Sequence, residues 1–298
     1  MFRNNVRLKV SLIMRKNTGL TLTFLIFALV VPFTVQYKPI IFMHGIIGSP
    51  TEAEYLISIL QKVHPGTQIT AVNAFNRYQS FEPLWEQVNN ITKIVQPIMN
   101  SSPDGVHLIC FSQGGLICRG LLSVLEHNVD TFIALSSPLA GQYGDTDYLK
   151  DFFPYYLKET IYKYFYTKNG QKWSVANYWR DPHHTDLYHE FSSYLYKLDN
   201  GQNSNYKNNF VRLKKLVLIG GPDDGVITPW QSSHFGFYDG NEKIKEMRNQ
   251  EYFLNDTFGL KELDGRGAID THVIPGVEHV HWYRNSTVFN KYIEPYLT

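Results

Sequence analysis

The chain has 298 residues, with 28 Lys and Arg against 27 Asp and Glu, a formal charge of +1. That balance lacks the basic excess a nucleic-acid partner demands, and the length behind a leader suits one large domain rather than two. Aromatic residues make up 15% of the chain, enough to fill a core and an apolar ligand cavity.

In chain order, Arg3, Arg7, Lys9, Arg15 and Lys16 form a basic lead, and residues 20–35 follow without a charge. Such a run, short and interrupted by Pro32, is too brief for a membrane span and right for the apolar centre of a secretory signal. Residues 1–36 are therefore read as a signal segment and 37–298 as a single domain. The small-residue cleavage site is poorly formed around residues 34–36, which leaves a retained anchor as the alternative. Four glycosylation sequons, at Asn90, Asn100, Asn255 and Asn285, agree with passage through the secretory route. Cys110 and Cys118 are the only cysteines, an even count compatible with one disulfide in an oxidising compartment.

The remainder alternates apolar runs with amphipathic stretches. Residues 39–43, 106–111, 131–135 and 216–219 are continuous apolar runs of the kind buried on both faces of a parallel sheet, and 68–72 and 270–274 are weaker strand candidates. Helical patterns fill 51–63, 81–99, 113–126 and 285–295, the first opening on Ser49-Pro50 with Glu52 and Glu54 in its first turn. Strand alternating with helix means an α/β architecture with right-handed crossovers. Residues 141–212 break the alternation. They are crowded with rings (Tyr148, Phe152, Phe153, Tyr155, Tyr156, Tyr162, Tyr164, Phe165, Tyr166, Trp173, Trp179) and read as a helical cap over the carboxyl edge of the sheet and as an acyl groove.

Four segments carry chemistry. Cys110-Phe-Ser-Gln-Gly-Gly115 sits between a strand and a helix, the setting of a nucleophile elbow, with Ser112 on the strained turn. The usual glycine two residues before the serine is Cys110 here; Gly114 and Gly115 allow close helix–strand approach on the other side. His44-Gly45-Ile46 follows the first strand, where an α/β-hydrolase draws one oxyanion-hole N–H, and Gln113 supplies the other, so the Ile46 and Gln113 amides are the candidate donors. His44 is read as a support of that loop. Gly220-Gly-Pro-Asp-Asp224 follows the fourth strong strand, where the triad acid belongs, and leaves Asp223 and Asp224 as alternatives. His279, after the last strand candidate, fits the base by position and chain order, with His272 and His281 as competitors. The fold class is thus an α/β-hydrolase: a mostly parallel sheet flanked by helices, with an inserted cap. His183, His184 and His189 with Asp186 do not have the spacing of a zinc ligand set, so no metal is assigned, and a serine hydrolase needs no cofactor.

Long runs of the chain resemble the palmitoyl-protein thioesterase family, closest to its type 2 branch. They include Ile41-Phe-Met-His-Gly, His107-Leu-Ile-Cys-Phe-Ser-Gln-Gly-Gly, Ser136-Ser-Pro-Leu-Ala-Gly-Gln-Tyr-Gly, Asn177-Tyr-Trp-Arg-Asp-Pro and Gly221-Pro-Asp-Asp-Gly-Val-Ile-Thr-Pro-Trp-Gln-Ser-Ser. The resemblance implies Ser112 as nucleophile, Asp224 as acid, His279 as base, a Cys110–Cys118 disulfide, an acyl tunnel under the insertion and lysosomal delivery. It implies hydrolysis of long-chain acyl thioesters such as palmitoyl-CoA or S-palmitoylated peptides, with acyl-CoA or small thioesters preferred in the type 2 branch, and no nucleic acid, metal or stable protein partner. The further cysteine pairs common in that branch are missing. A lipase or carboxylesterase cleaving oxyesters, or a silent lipid-binding protein, would use the same pocket.

Overall fold

A computed structural model describes residues 37–146, 150, 157–201 and 203–298. The signal segment expected at 1–36 lies outside them, as do Tyr148, Phe152, Phe153, Tyr155 and Tyr156 of the insertion.

Six strands form one parallel sheet in the order β2-β1-β3-β4-β5-β8. They are β1 (Ile40–Met43), β2 (Ile69–Ala71), β3 (Val106–Phe111), β4 (Val129–Leu135), β5 (Lys215–Gly220) and β8 (Ile269–Val273). The four apolar runs take the centre and the two weaker candidates take the edges. The cause is solvation. Every residue of β1 and β3 is buried, whereas β8 carries Asp270 and Thr271 and is only partly covered. A short antiparallel pair, β6 (Phe237–Tyr238) and β7 (Ile244–Lys245), stands apart from this sheet and was not anticipated; two residues per strand leave no periodicity to read.

Alternation along the central strands divides the core in two. Ile41, Met43, Leu108, Cys110, Phe132, Ala134, Leu216 and Leu218 face one side, packed with helices α2 (Leu84–Asn100) and α3 (Gln113–Val124). Ile40, Phe42, Ile109, Phe111, Ile133, Leu135, Val217 and Ile219 face the other, where α1 (Glu54–Val63) and the C-terminal segment lie. The C-terminal helix expected at 285–295 is three short pieces: Ser286–Val288, a wider turn at Phe289–Ile293, and Glu294–Tyr296. Buried Phe289, Ile293 and Leu297 recur every fourth residue. That is slower than the roughly 3.6 residues of an α-turn, so the coil widens to keep them on the sheet, and Pro295 removes a further donor.

The insertion between β4 and β5 contains short helices at Tyr162–Phe165, Ser174–Tyr178, Thr185–Phe191, Leu195–Asp199 and Ser204–Phe210. It is pinned to α3 by a buried ion pair, Arg119 Nη2 to Asp199 Oδ1 at 2.7 Å. Tyr194 adds a second tie, donating its hydroxyl to the Leu116 carbonyl at 2.6 Å.

Candidate active site

The elbow forms where β3 runs into α3. Ser112 is held at φ 52°, ψ −128°, a conformation costly for a side-chain-bearing residue, between a strand that ends at Phe111 and a helix that begins at Gln113. Small residues make it feasible. A Cβ on Gly114 would lie 2.5 Å from the carbonyl oxygens of both Met43 and His44, and one on Gly115 would lie 2.0 Å from Ser137 Oγ. On the other side, Cys110 takes the usual glycine's place and is bonded to Cys118, so a disulfide links the strand to the second turn of α3 across Ser112.

Three elements far apart in sequence converge on Ser112. His279 places Nε2 2.9 Å from Ser112 Oγ, while its Nδ1 donates to Asp224 Oδ2 at 2.8 Å and Oδ1 at 3.0 Å. The Asp224 carboxylate also accepts from Ser136 Oγ at 2.5 Å, Trp282 Nε1 at 2.7 Å and the Ile227 amide at 2.7 Å. Burial works to raise the Asp224 carboxyl. The hydrogen bond and charge of His279, the Ile227 amide and the Ser136 hydroxyl outweigh it and hold the group below the ordinary carboxylate range. Asp224 is thus an anion at any pH near neutrality, as a residue that orients an imidazole must be.

The competitors point elsewhere. Asp223 accepts from the Gly276 amide at 2.7 Å and pins the turn before His279. His272 bonds the Tyr296 hydroxyl at 2.8 Å, and His281 is exposed beside Glu278. His44 supports its loop, with Nδ1 2.9 Å from the Gly45 carbonyl and Nε2 3.0 Å from that of Ala74. His183 pairs with Glu242, His184 with Asp181, and His189 stacks on Tyr196, so these three imidazoles have separate partners. Among the described residues no group of three or more His, Cys, Asp or Glu is arranged to hold a metal.

A cleft opens at Ser112, lined by Ile46, Pro138, Gln142, Tyr178, Val226 and Ile227. Gln142 and Tyr178 come from the insertion. Among the described residues the ring in this lining is Tyr178. Of the described rings singled out in sequence, Phe165 packs edge-on against Trp179 at 5.8 Å, and Trp173 against Phe81 at 5.9 Å. Ring content alone cannot separate a lining ring from a packing ring, because both are apolar and buried.

Sequence reasoning missed Ser136, Trp282, Glu52 and Ser80. The first two buttress Asp224. Glu52 accepts the Gly45 amide at 3.2 Å, and burial raises its carboxyl above the ordinary value against the pull of that amide and of the nearby His44, His279 and Arg284. Ser80 holds the loop after β1 (below). Ser136 opens one of the family-like runs and Trp282 lies just after the candidate base, but nothing in their types or spacing announces a role.

Residues 39–279 match the family described as palmitoyl protein thioesterase. The chain is 51% identical over 273 residues to the lysosomal thioesterase PPT2 of Rattus norvegicus, covering 90% of each. It is 50% identical over 283 residues to that of Homo sapiens, covering 93% of each. Among solved structures it is similar to lipase B of Aspergillus fumigatus with a TM-score of 0.50 at 11% identity, covering 86% of this chain and 51% of that one, a likeness of fold.

Proposed function

The chain belongs to the palmitoyl protein thioesterase family, and from that premise we propose that it is a lysosomal serine thioesterase that cleaves long-chain fatty acyl thioesters such as palmitoyl-CoA. The observation that carries the reading is the continuous relay from Ser112 through His279 to Asp224, at 2.9 and 2.8 Å, beside an apolar cleft.

In this mechanism His279 Nε2 takes the proton of the Ser112 hydroxyl as Oγ attacks the thioester carbonyl. The negative charge on the carbonyl oxygen is received by the Ile46 and Gln113 amides, the latter at the amino end of α3, where the helix field favours an anion. The C–S bond breaks, and the thiol departs carrying the proton returned by His279. Water then attacks the acyl-serine with His279 again as base, releasing the fatty acid and restoring Ser112. Asp224 keeps Nδ1 protonated throughout, so that Nε2 is always the nitrogen facing the serine. Each methylene of an acyl chain that the protein covers contributes at most about 0.8 kcal/mol.

The route to the lysosome would begin with removal of residues 1–36, which N-terminal sequencing of the mature protein checks. Three of the four sequons, Asn90, Asn100 and Asn255, are exposed, as glycosylation requires. Asn285 is partly buried and its Oδ1 caps the helix at Ser286–Val288, an arrangement that leaves Nδ2 for a glycan.

The test is thiol release from palmitoyl-CoA by the purified protein and by Ser112→Ala, alongside a palmitoyl oxyester. Thioester turnover abolished in the variant is expected. Rapid oxyester cleavage with little thiol release would move the protein to the lipases, and no turnover of either would leave a lipid-binding pocket.

A further inference from the structure

The loop after β1 is held in a conformation that its own sequence opposes. Ile47, next to the candidate oxyanion residue Ile46, has φ 58°, in the left-handed region that a β-branched side chain resists. The segment that faces it is strained as well: Phe75 and Arg77 both have φ 55°. Clusters of such outliers persist only where surrounding bonds over-determine them, and they mark sites whose geometry matters to function.

Those bonds converge on one side chain. Ser80 is 1% exposed. Its Oγ accepts the Ile47 N–H at 2.7 Å and donates to the Arg77 carbonyl at 2.5 Å. The Arg77 amide in turn donates to the Gly48 carbonyl at 2.9 Å, closing a ring around the strained residue. The Ser80 carbonyl accepts Gln113 Nε2 at 2.8 Å, and Gln87 Nε2 at the same distance. One buried serine therefore touches both halves of the oxyanion site, through its hydroxyl on the Ile46 side and through its carbonyl on the Gln113 side.

We propose that Ser80 is a positioning residue for the oxyanion hole: its hydroxyl holds Ile47 left-handed, and that twist aims the Ile46 amide at the carbonyl oxygen of the tetrahedral intermediate. Ser80 does not touch the substrate. Its effect is on the transition state, because the misaimed donor costs most when the oxygen carries full charge. The inference rests on the serine-nucleophile reading above.

The test compares wild type with Ser80→Ala for hydrolysis of palmitoyl-CoA, for inhibition by a palmityl trifluoromethyl ketone, which forms a tetrahedral adduct on the serine, and for competitive inhibition by palmitate. Expected for Ser80→Ala is a fall in kcat of about tenfold to a hundredfold, less than or equal to the loss of a whole donor, with KM within about twofold. The ketone weakens by the same factor as kcat/KM, and palmitate is unchanged. Ser80→Thr, which keeps a hydroxyl, recovers part of the rate. A folded Ser80→Ala with wild-type kcat overturns the proposal, as does a loss shared equally by ketone and palmitate, the mark of a general structural defect. Should Ser80→Ala not fold, the double variant Ser80→Ala with Ile47→Gly decides. Glycine takes the left-handed turn without a clamp, so the proposal requires the double variant to fold and to keep kcat within about tenfold of wild type, and a folded double variant without turnover overturns it. A fluorophosphonate probe on wild type separates the two levels. Labelling at Ser112 with normal kinetics in the variant sinks this inference alone, and absence of labelling sinks the serine reading with it.

Discussion

The Asp224 carboxylate accepts more bonds than orientation of one imidazole requires. Ser136 and Trp282 both donate to Oδ2, while Oδ1 faces the Val226 and Ile227 amides and shares His279 Nδ1. Every direction of approach therefore calls for an acceptor. Asp224→Asn must set an NH₂ against at least one of these donors, and the amide cannot hold Nδ1–H as the anion does. The expected result is a kcat lower by about 10⁴ with the fold retained, read from thiol release alongside near-ultraviolet circular dichroism. A loss of only a few-fold would mean that His279 keeps its tautomer without the acid. Asp223→Asn, at the neighbouring carboxylate, leaves the relay intact and serves as the control. The two aspartates are indistinguishable by type and adjacent in sequence, yet only Asp224 reaches His279, while Asp223 is taken up by the Gly276 amide.

At the level of elements, α3 begins directly after the candidate nucleophile Ser112, and every residue from Gln113 to Ser123 is buried, so it depends on its neighbours throughout. Two ties fix it. The Cys110–Cys118 disulfide closes a short loop across the elbow. Loop-closure entropy for that span is worth roughly 2–3 kcal/mol, so Cys110→Ala with Cys118→Ala should lower the unfolding free energy by about that amount in urea titration, with Ser112 still reactive toward a fluorophosphonate. The second tie is Arg119. It is 1% exposed, pairs with Asp199, donates to the Leu139 carbonyl at 3.0 Å and lies 4.2 Å from the centre of the Phe258 ring. Asp199→Ala leaves a buried guanidinium without its counter-charge and should cost about 3–5 kcal/mol by the same titration, whereas removing both charges with Arg119→Met and Asp199→Ala together should cost less. Equal losses in the single and double variants would show that packing, not charge, holds the insertion to α3.

For the whole molecule, the question set by a lysosomal destination is acid stability. His107, His127 and His234 are buried, and burial lowers each to about 4 from an ordinary 6.5. The unfolded chain therefore binds more protons than the folded one between pH 6.5 and 4. Stability is undiminished above 6.5 and falls progressively toward 4, by about 2 kcal/mol per histidine at pH 5. The melting temperature should drop steadily from pH 7 to 4.5, and His234→Phe should remove about a third of the slope. A flat profile over that range would mean these imidazoles are not held neutral.

Much of this was legible before any coordinates. The central strands show as apolar runs because burial on both faces forbids polar residues, and the elbow shows because a strand-to-helix reversal at a serine needs Gly114 and Gly115 beside it. Ser112 and the order of acid and base followed from those local demands, and the family followed from near-literal runs. Contacts across the chain were not legible. Residue type left Asp223 and Asp224 open, and only the family resemblance chose Asp224; the buttresses Ser136 and Trp282, Tyr178 as a lining ring and the Ser80 clamp on Ile47 all join residues separated by tens of positions. A single sequence records residue types and local periods, whereas these roles depend on the direction of a side chain, which is set only when sheet, turn and insertion have packed together.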